Sequence, residues 1–212
     1  MPKLPPGRPR GDQRWSTFLR NHARVIVACD FFVSVTATFR LLYVLVVIEH
    51  GARRLLHLNV TAHPTAAWTL QQLREALGYE NHYRYLIHDR DNIFAKSFDA
   101  SIKRLGLRVL KSPLRSPKAN AICERAIGTI RRECLGWLIA MSEGHLRAIL
   151  RDWRTHYNGS RPHMALGPGF PDPPALNSKQ DSGHRLGERL VVRARSVLGG
   201  LHHDYFLVEP CA

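Results

Sequence analysis

Three carboxylates fall where they could do chemistry together. Asp30 lies near the end of the apolar run VIVACDFF (25–32), Asp89 closes YRYLIHD (83–89), and Glu124 comes early in a long helical pattern that starts at Ala121. One acid at the end of a buried strand has an ordinary explanation, since it can cap the next element or sit in a loop. Three on one edge of a sheet are harder to explain that way, because carboxylates held close repel and raise one another's pKa. Such a cluster is tolerable when cations occupy it. An oxygen-only set, with neither Cys nor His, suits Mg²⁺ or Mn²⁺. Asp91 stands two positions after Asp89 and is a second candidate for the middle ligand.

The elements that must position these acids can be read from periodicity. VIVACDFF, FRLLYVLVVIE (39–49) and RRLLHLNVT (53–61) read as three strands, with His50-Gly51 turning the second into the third, so an antiparallel meander is expected. Pro64 suits the first turn of a helix through Leu77, stopped by Gly78. YRYLIHD is a fourth strand, a helix runs from about Lys96 to Leu105, and LRVLK (107–111) is a fifth strand. SPLRSPKAN (112–120), with two prolines, reads as a loop; Ala121–Ile139 and His145–Tyr157 read as helices. Near the end, VVRARSV and HHDYFLV flank Gly199-Gly200 as a small hairpin. The expected class is α/β: a mixed five-stranded sheet, antiparallel meander first and parallel strands afterwards, flanked by helices. On the long helix, at about 100° per residue, Ile122, Cys123, Ala126, Ile127, Ile130, Cys134 and Trp137 share the core side. Glu124 points away, with Asn120, Gly128 and Arg131.

Composition narrows the function. The 212 residues carry 31 Lys and Arg against 17 Asp and Glu, a formal charge of +14. A domain this basic repels itself and calls for a polyanionic partner, with nucleic acid first and an acidic membrane surface second. The longest apolar run, Leu41 to Ile48, is far short of the roughly 20 residues that cross a bilayer. The opening MPKLPPGRPR has no apolar stretch of the kind a secretory signal needs. Cys29, Cys123, Cys134 and Cys211 form no C-x-x-C pair and read as reduced thiols of a cytosolic protein. The adjacent His202 and His203 match no structural zinc spacing to Cys211.

VACDFF with Asp30, IHDRDNIF with Asp89 and SPKANAICERAIGTIRREC with Glu124 resemble the catalytic core of the DDE transposases and retroviral-type integrases. In that family an aromatic follows the second acid by five residues, as Phe94 follows Asp89, and an Asn precedes the third by four, as Asn120 precedes Glu124. Glu124 lies 35 positions after Asp89, the family's separation. HYNGSRPHMALGP (156–168) is similar to the family's closing Tyr-Asn…Arg-Pro-His…Leu…Pro element, so the likeness runs from about Arg24 to Pro174. Many relatives have Gly close after the second acid where this chain has Asn92, a residue that still tolerates the left-handed conformation. The offset to Phe94 favours Asp89 over Asp91. Bacterial insertion-sequence transposases with an integrase core are the nearest group, and the fold this implies is ribonuclease-H-like. Residues 1–22 then read as a flexible basic arm, 23–174 as the integrase-type core and 175–212 as a C-terminal extension with the hairpin.

The resemblance implies phosphodiester cleavage and strand transfer on DNA ends, with two Mg²⁺ (or Mn²⁺) ions roughly 3.5–4 Å apart. Asp30 would bridge both ions, with Asp89 on one and Glu124 on the other, and no serine or tyrosine would attack. Between Lys103 and Arg132 nine Lys or Arg face a single acid, Glu124. Lys111, Arg115 and Lys118, then Asn120, Arg125 and Arg131, are the expected DNA contacts, whereas Trp153, Tyr157 and Pro162 read as completing the core. About two dozen residues precede the first strand, too few for the helix-turn-helix region such transposases carry, so a truncated gene or a separate recognition subunit is expected. The implied setting is cytoplasmic and nucleoid-associated, with the protein working as a homo-oligomer on DNA and no membrane. Two alternatives remain: a truncated remnant that binds DNA or oligomerises without cutting, and a ribonuclease H, which the Arg-Pro-His element disfavours. Phosphate contacts dominate either DNA reading, so binding should be strongly salt-sensitive and only weakly sequence-specific. Fluorescence anisotropy with unrelated duplexes should show affinity falling steeply from low to moderate salt; a flat response would contradict the assignment.

Overall fold

The computed structural model describes residues 11–78, 82–89, 96–111, 120–167, 169–173 and 190–209. Ile26–Cys29 is apolar at every position, the pattern of a strand covered on both faces, and all four residues are buried. Five strands form the main sheet: β1 (Ile26–Val35), β2 (Leu41–Glu49), β3 (Leu55–Thr61), β4 (Tyr85–His88) and β5 (Arg108–Lys111), in the spatial order β3-β2-β1-β4-β5. The β1–β2 and β2–β3 pairs are antiparallel, and β1–β4 and β4–β5 are parallel. This is the mixed sheet expected from the sequence, and β1 is its centre.

Five helices cover it: α1 (Gly11–His22), α2 (Ala66–Leu77), α3 (Lys96–Arg104), α4 (Ala121–Ile130) and α5 (Glu143–Gly159). Strand alternation sends one set of residues (Ile26, Ala28, Phe32, Val44, Val46, Ile87) into a core layer with α4 and α5, including Ile127, Ile130 and the fully buried Trp153. The opposite set (Val27, Cys29, Leu45, Val47, Leu86) packs with Leu73 of α2 and with Phe98 and Ile102 of α3. Thr65 caps α2 by accepting from Trp68 N at 3.1 Å, so Pro64 lies just outside the helix rather than in its first turn. Gly78 ends α2 at φ 65°, a conformation that favours glycine.

Three expectations need correction. Residues 11–22 of the supposed flexible arm are the helix α1, with Leu19 buried and Phe18 edge-on to Tyr85 at 5.3 Å. The scattered aromatics Trp15 and Phe18, too few to show a period, pack on the same core layer. The long helix does not run regularly to Ile139. After Ile130 it widens into a π-helical turn, Arg131–Leu135, which breaks the 3.6-residue period, and Trp137 is 71% exposed instead of facing the core. Pro162 is exposed too, although Trp153 and Tyr157 are buried.

The C-terminal hairpin is present as β6 (Val191–Val197) and β7 (His202–Val208), paired antiparallel. It is tied to the helical layer by polar groups. Buried His156 on α5 bonds through Nδ1 to Asp204 Oδ1 at 2.7 Å, Arg195 donates to Asp204 Oδ2 at 2.8 Å, and His202 Nε2 donates to the Glu133 carbonyl at 2.7 Å. Glu133, in the π turn, is gripped by Arg161 through two bonds of 2.7 Å. Cys29, Cys123 and Cys134 are free, buried thiols. Cys211 lies outside the described residues, and among those residues no helix is long and apolar enough to cross a membrane.

Hydrogen bonds from Arg161, outweighing burial, hold the Glu133 carboxyl below its usual value. Burial would raise Asp204, but hydrogen bonds from Arg195, His156 and Ser160 outweigh it and its pKa is also lowered. Groups depressed in the folded state contribute stability above their unfolded pKa and lose it as pH falls through the folded one. Amide protection factors over 191–208, corrected for the intrinsic exchange rate at each pH, should therefore be high near neutrality and fall below about pH 4. Asp204→Asn should exchange fast already at neutral pH.

Candidate active site

In the parallel β1–β4 pair Ile26 faces Tyr85, Val27 faces Leu86 and Ala28 faces Ile87. The ladder ends there, and Asp30 and Asp89 each follow its last pair by two residues, on chains that run about 4.8 Å apart where they pair. By alternation Asp30 shares a face with Ala28 and Phe32, and Asp89 shares one with Ile87. Ala28, Phe32 and Ile87 all lie in the layer that packs with α4. Asp89 lies just beyond the carboxyl end of β4, where open sheets hold their sites, whereas Asp30 is in the middle of β1, which runs on to Val35 instead of ending near the acid as expected.

The start of α4 is fixed on both sides of Asp30. Asn120, at the N-cap position, donates from Nδ2 to the Cys29 carbonyl at 3.3 Å. One turn on, the Cys123 thiol donates to the Val46 carbonyl at 4.0 Å, and Val46 is the antiparallel partner of Asp30. Burial pushes the Cys123 thiol well up, and the charges of Asp30 and Glu124 add to the effect, so a single sulfur lies within the field of both carboxylates. Burial, with Asp30 adding, raises Cys29 as well. Neither thiol is available as a soft metal ligand. Arg131, beyond Glu124, lies with its guanidinium 5.3 Å from the centre of the Phe32 ring, two residues past Asp30.

The convergence is one of backbone positions. Asp30 is half-buried and its Oδ1 accepts from Phe31 N at 2.8 Å, while Asp89 and Glu124 are exposed. Among the described residues, no three His, Cys, Asp or Glu side chains are grouped closely enough to hold a metal ion. The expected three-carboxylate pocket is thus not drawn together in this structure. The donor chemistry nevertheless fits a hard cation. Three carboxylates and the Oδ1 of Asn120, which is buried and has no hydrogen-bond partner, supply oxygen alone.

Asn120 is only 4% exposed, so it braces helix against strand rather than offering the surface amide expected of a DNA contact. Arg125 and Arg131 are exposed on α4. Lys111 ends β5, and its side chain lies outside the described residues, as do Arg115, Lys118, Asp91, Asn92 and Phe94.

Residues 105–171 match the family model for the integrase core domain. The chain is 27% identical over 141 residues to the insertion element IS476 uncharacterized 39.2 kDa protein of Xanthomonas euvesicatoria, covering 65% of this chain and 40% of that protein. Among solved structures, the catalytic core domain of BIV integrase superposes with a TM-score of 0.51 at 16% identity, over 70% of this chain and 91% of that one. The catalytic domain of Mos1 mariner transposase gives 0.57 at 16% identity, over 68% and 76%. A chain of the simian T-cell lymphotropic virus intasome, in complex with a PP2A regulatory subunit, gives 0.55 at 12%, over 86% and 66%. Residues 105–171 are thus similar to an integrase core domain, and the fold is that of integrase and transposase catalytic domains.

Several polar braces in this region carry no strong sequence signal. Buried His88 bonds through its ring nitrogens to the Asp89 carbonyl at 2.7 Å and to Asp99 Oδ1 at 3.1 Å, tying the end of β4 to α3. Its place directly before the acid in IHDRD was the available signal. Asn158 pairs like a strand residue with Leu55, accepting from its N–H at 2.9 Å and donating to its carbonyl at 3.0 Å. The Tyr-Asn…Arg-Pro-His segment thus holds the sheet edge through Asn158 and the π turn through Arg161. Asn120→Ala should cost about 1–2 kcal/mol for the lost brace, measured by urea unfolding.

Proposed function

We propose that this chain is the catalytic core of a DNA transposase, cutting phosphodiester bonds and joining DNA strands by divalent-metal chemistry at Asp30, Asp89 and Glu124. The observation that carries the reading is the parallel β1–β4 pairing, whose last pair, Ala28 and Ile87, stands two residues before Asp30 and Asp89 and next to the pinned start of α4. The integrase core match and the insertion-element relative support it. The chain spans 40% of the length of that relative, so the whole protein's substrates and assembly are part of the proposal.

Asp30, on the central strand, would hold both of two Mg²⁺ or Mn²⁺ ions, with Asp89 on one and Glu124 on the other. When bound, such ions supply the Lewis acidity that makes water or a DNA 3′-hydroxyl nucleophilic and stabilises the leaving 3′ oxygen. The protein's own contribution is placement. The central strand and the Asn120 brace hold the backbone segments that carry Asp30 and Glu124, and the carboxylates themselves would still have to close around the ions. Arg125 and Arg131 on α4, with Lys111, Arg115 and Lys118 before it, would hold the DNA backbone without reading its sequence. The partners implied are transposon-end and target DNA, other copies of the chain and a separate end-recognition subunit, on the cytoplasmic nucleoid.

A second reading, a DNA-binding remnant that no longer cuts, draws on the absence of a grouped metal-ligand trio among the described residues. Nicking of supercoiled plasmid in Mg²⁺ or Mn²⁺ separates the two. The wild type should nick, while Asp30→Asn and Glu124→Gln should lose at least about 100-fold in rate, roughly 2.7 kcal/mol of barrier at 1.36 kcal/mol per tenfold. Equal nicking by all three proteins would remove the catalytic assignment, and salt-sensitive binding without any nicking would establish the remnant.

A further inference from the structure

Beside α4, on the flank toward α5, a cleft of about 250 Å³ opens between the β2–β3 turn and the Arg-Pro-His segment. Its walls include Arg53, Ile122, Arg125, Tyr157, Arg161 and His163. The three arginines are not equivalent. Arg161 is neutralised by its two bonds to Glu133. Arg53 is half-buried, and among the described residues its guanidinium has neither a salt bridge nor a hydrogen bond. Burial and, after it, the charge of Arg125 lower the Arg53 pKa from its ordinary value, outweighing an opposing contribution from Tyr157.

A partly dehydrated cation facing a second cation is unfavourable unless an anion joins them. The backbone adds to the cost. Arg53 lies at φ 62°, in the left-handed region that a long side chain seldom adopts. The turn that presents it is closely packed: a Cβ on Gly51 would come within 3.2 Å of the Ala23 and Arg24 backbone, and Glu49 N donates to the Arg54 carbonyl at 2.9 Å. Strain and repulsion thus converge on one side chain held at the mouth of a cleft with polar and aliphatic walls. Arg125 directly follows Glu124, so the cleft adjoins the carboxylate site without being part of it.

We propose that this cleft is a phosphate subsite, in which Arg53 and Arg125 grip one phosphodiester of a DNA strand whose neighbouring phosphate lies at the carboxylates. This rests on the DNA reading above and adds to it Arg53, which lies outside the basic run 103–132, as a second anchor beside Arg125. The anchor fixes strand position and carries no sequence preference.

The test is the salt dependence of duplex binding by the full chain, for wild type, Arg53→Gln and Arg125→Gln. Each substitution should reduce the slope of log K against log salt by about 0.9 and weaken binding alike on unrelated sequences. Inorganic phosphate should protect the wild type against thermal unfolding more than chloride of equal ionic strength, and Arg125→Gln, at an exposed helical position, should lose that protection even if Arg53→Gln folds poorly. A wild type without salt-sensitive DNA binding would overturn the DNA reading itself. A steep wild-type slope left unchanged in both variants, or phosphate no better than chloride, would overturn the subsite alone. Polyglutamate that displaces phosphate where duplex DNA does not would assign the cleft to an acidic protein segment and overturn the proposal.

Discussion

The parallel pairing of β1 with β4 is the constraint on which the rest of the molecule depends. One residue of slip would move Asp89 to the opposite face of the sheet from Asp30, because side chains alternate with a period of two. The register is held by burial on both faces: Ala28 and Ile87 belong to the α4–α5 layer, Val27 and Leu86 to the α2–α3 layer. A one-residue slip would exchange the two layers. The carboxylate positions are therefore a consequence of the core, although neither acid contributes to it.

Polar braces then convert a packed sheet into a site. Asn120 and Cys123 tie the start of α4 to the carbonyls of Cys29 and Val46, one in Asp30's own strand and one in its partner strand. His88 fixes the carbonyl of Asp89, and Arg161 with His202 fixes the π turn beyond Arg131. Each bond is worth about 1 kcal/mol net, a modest sum for stability. Their larger effect is geometric, since each removes a degree of freedom from a segment that carries a charged side chain.

Charge distribution works in the opposite sense to packing. The excess of cations repels itself, and the helical layer relieves this locally where carboxylates are at hand, as in Arg161–Glu133 and Arg195–Asp204. Among the described residues Arg53 and Arg125 have no carboxylate partner, and Arg131 lies over the face of the Phe32 ring. These unrelieved cations lie on or beside the helix that carries Glu124, on the side of the molecule where a polyanion would complete the electrostatics.

Much of the fold was legible along the chain. Continuous apolar runs identified the buried strands, Gly78 marked the end of α2, and the acids at strand ends pointed to Asp30 and Asp89, because these signals depend only on local periodicity and turn chemistry. Other features depend on contacts between distant segments. The helix α1 carries too few apolar residues to announce itself and gains its place by packing Phe18 on Tyr85. The π turn breaks the period that put Trp137 on the core face. Asn120 reads as a polar helix-face residue until β1 is found against it. The amino-acid order determined which residues could be buried and which acids could meet, whereas register, helix irregularity and the pairing of charges were decided only in three dimensions, where the two core layers and the limited supply of carboxylates select among arrangements that local sequence leaves equally open.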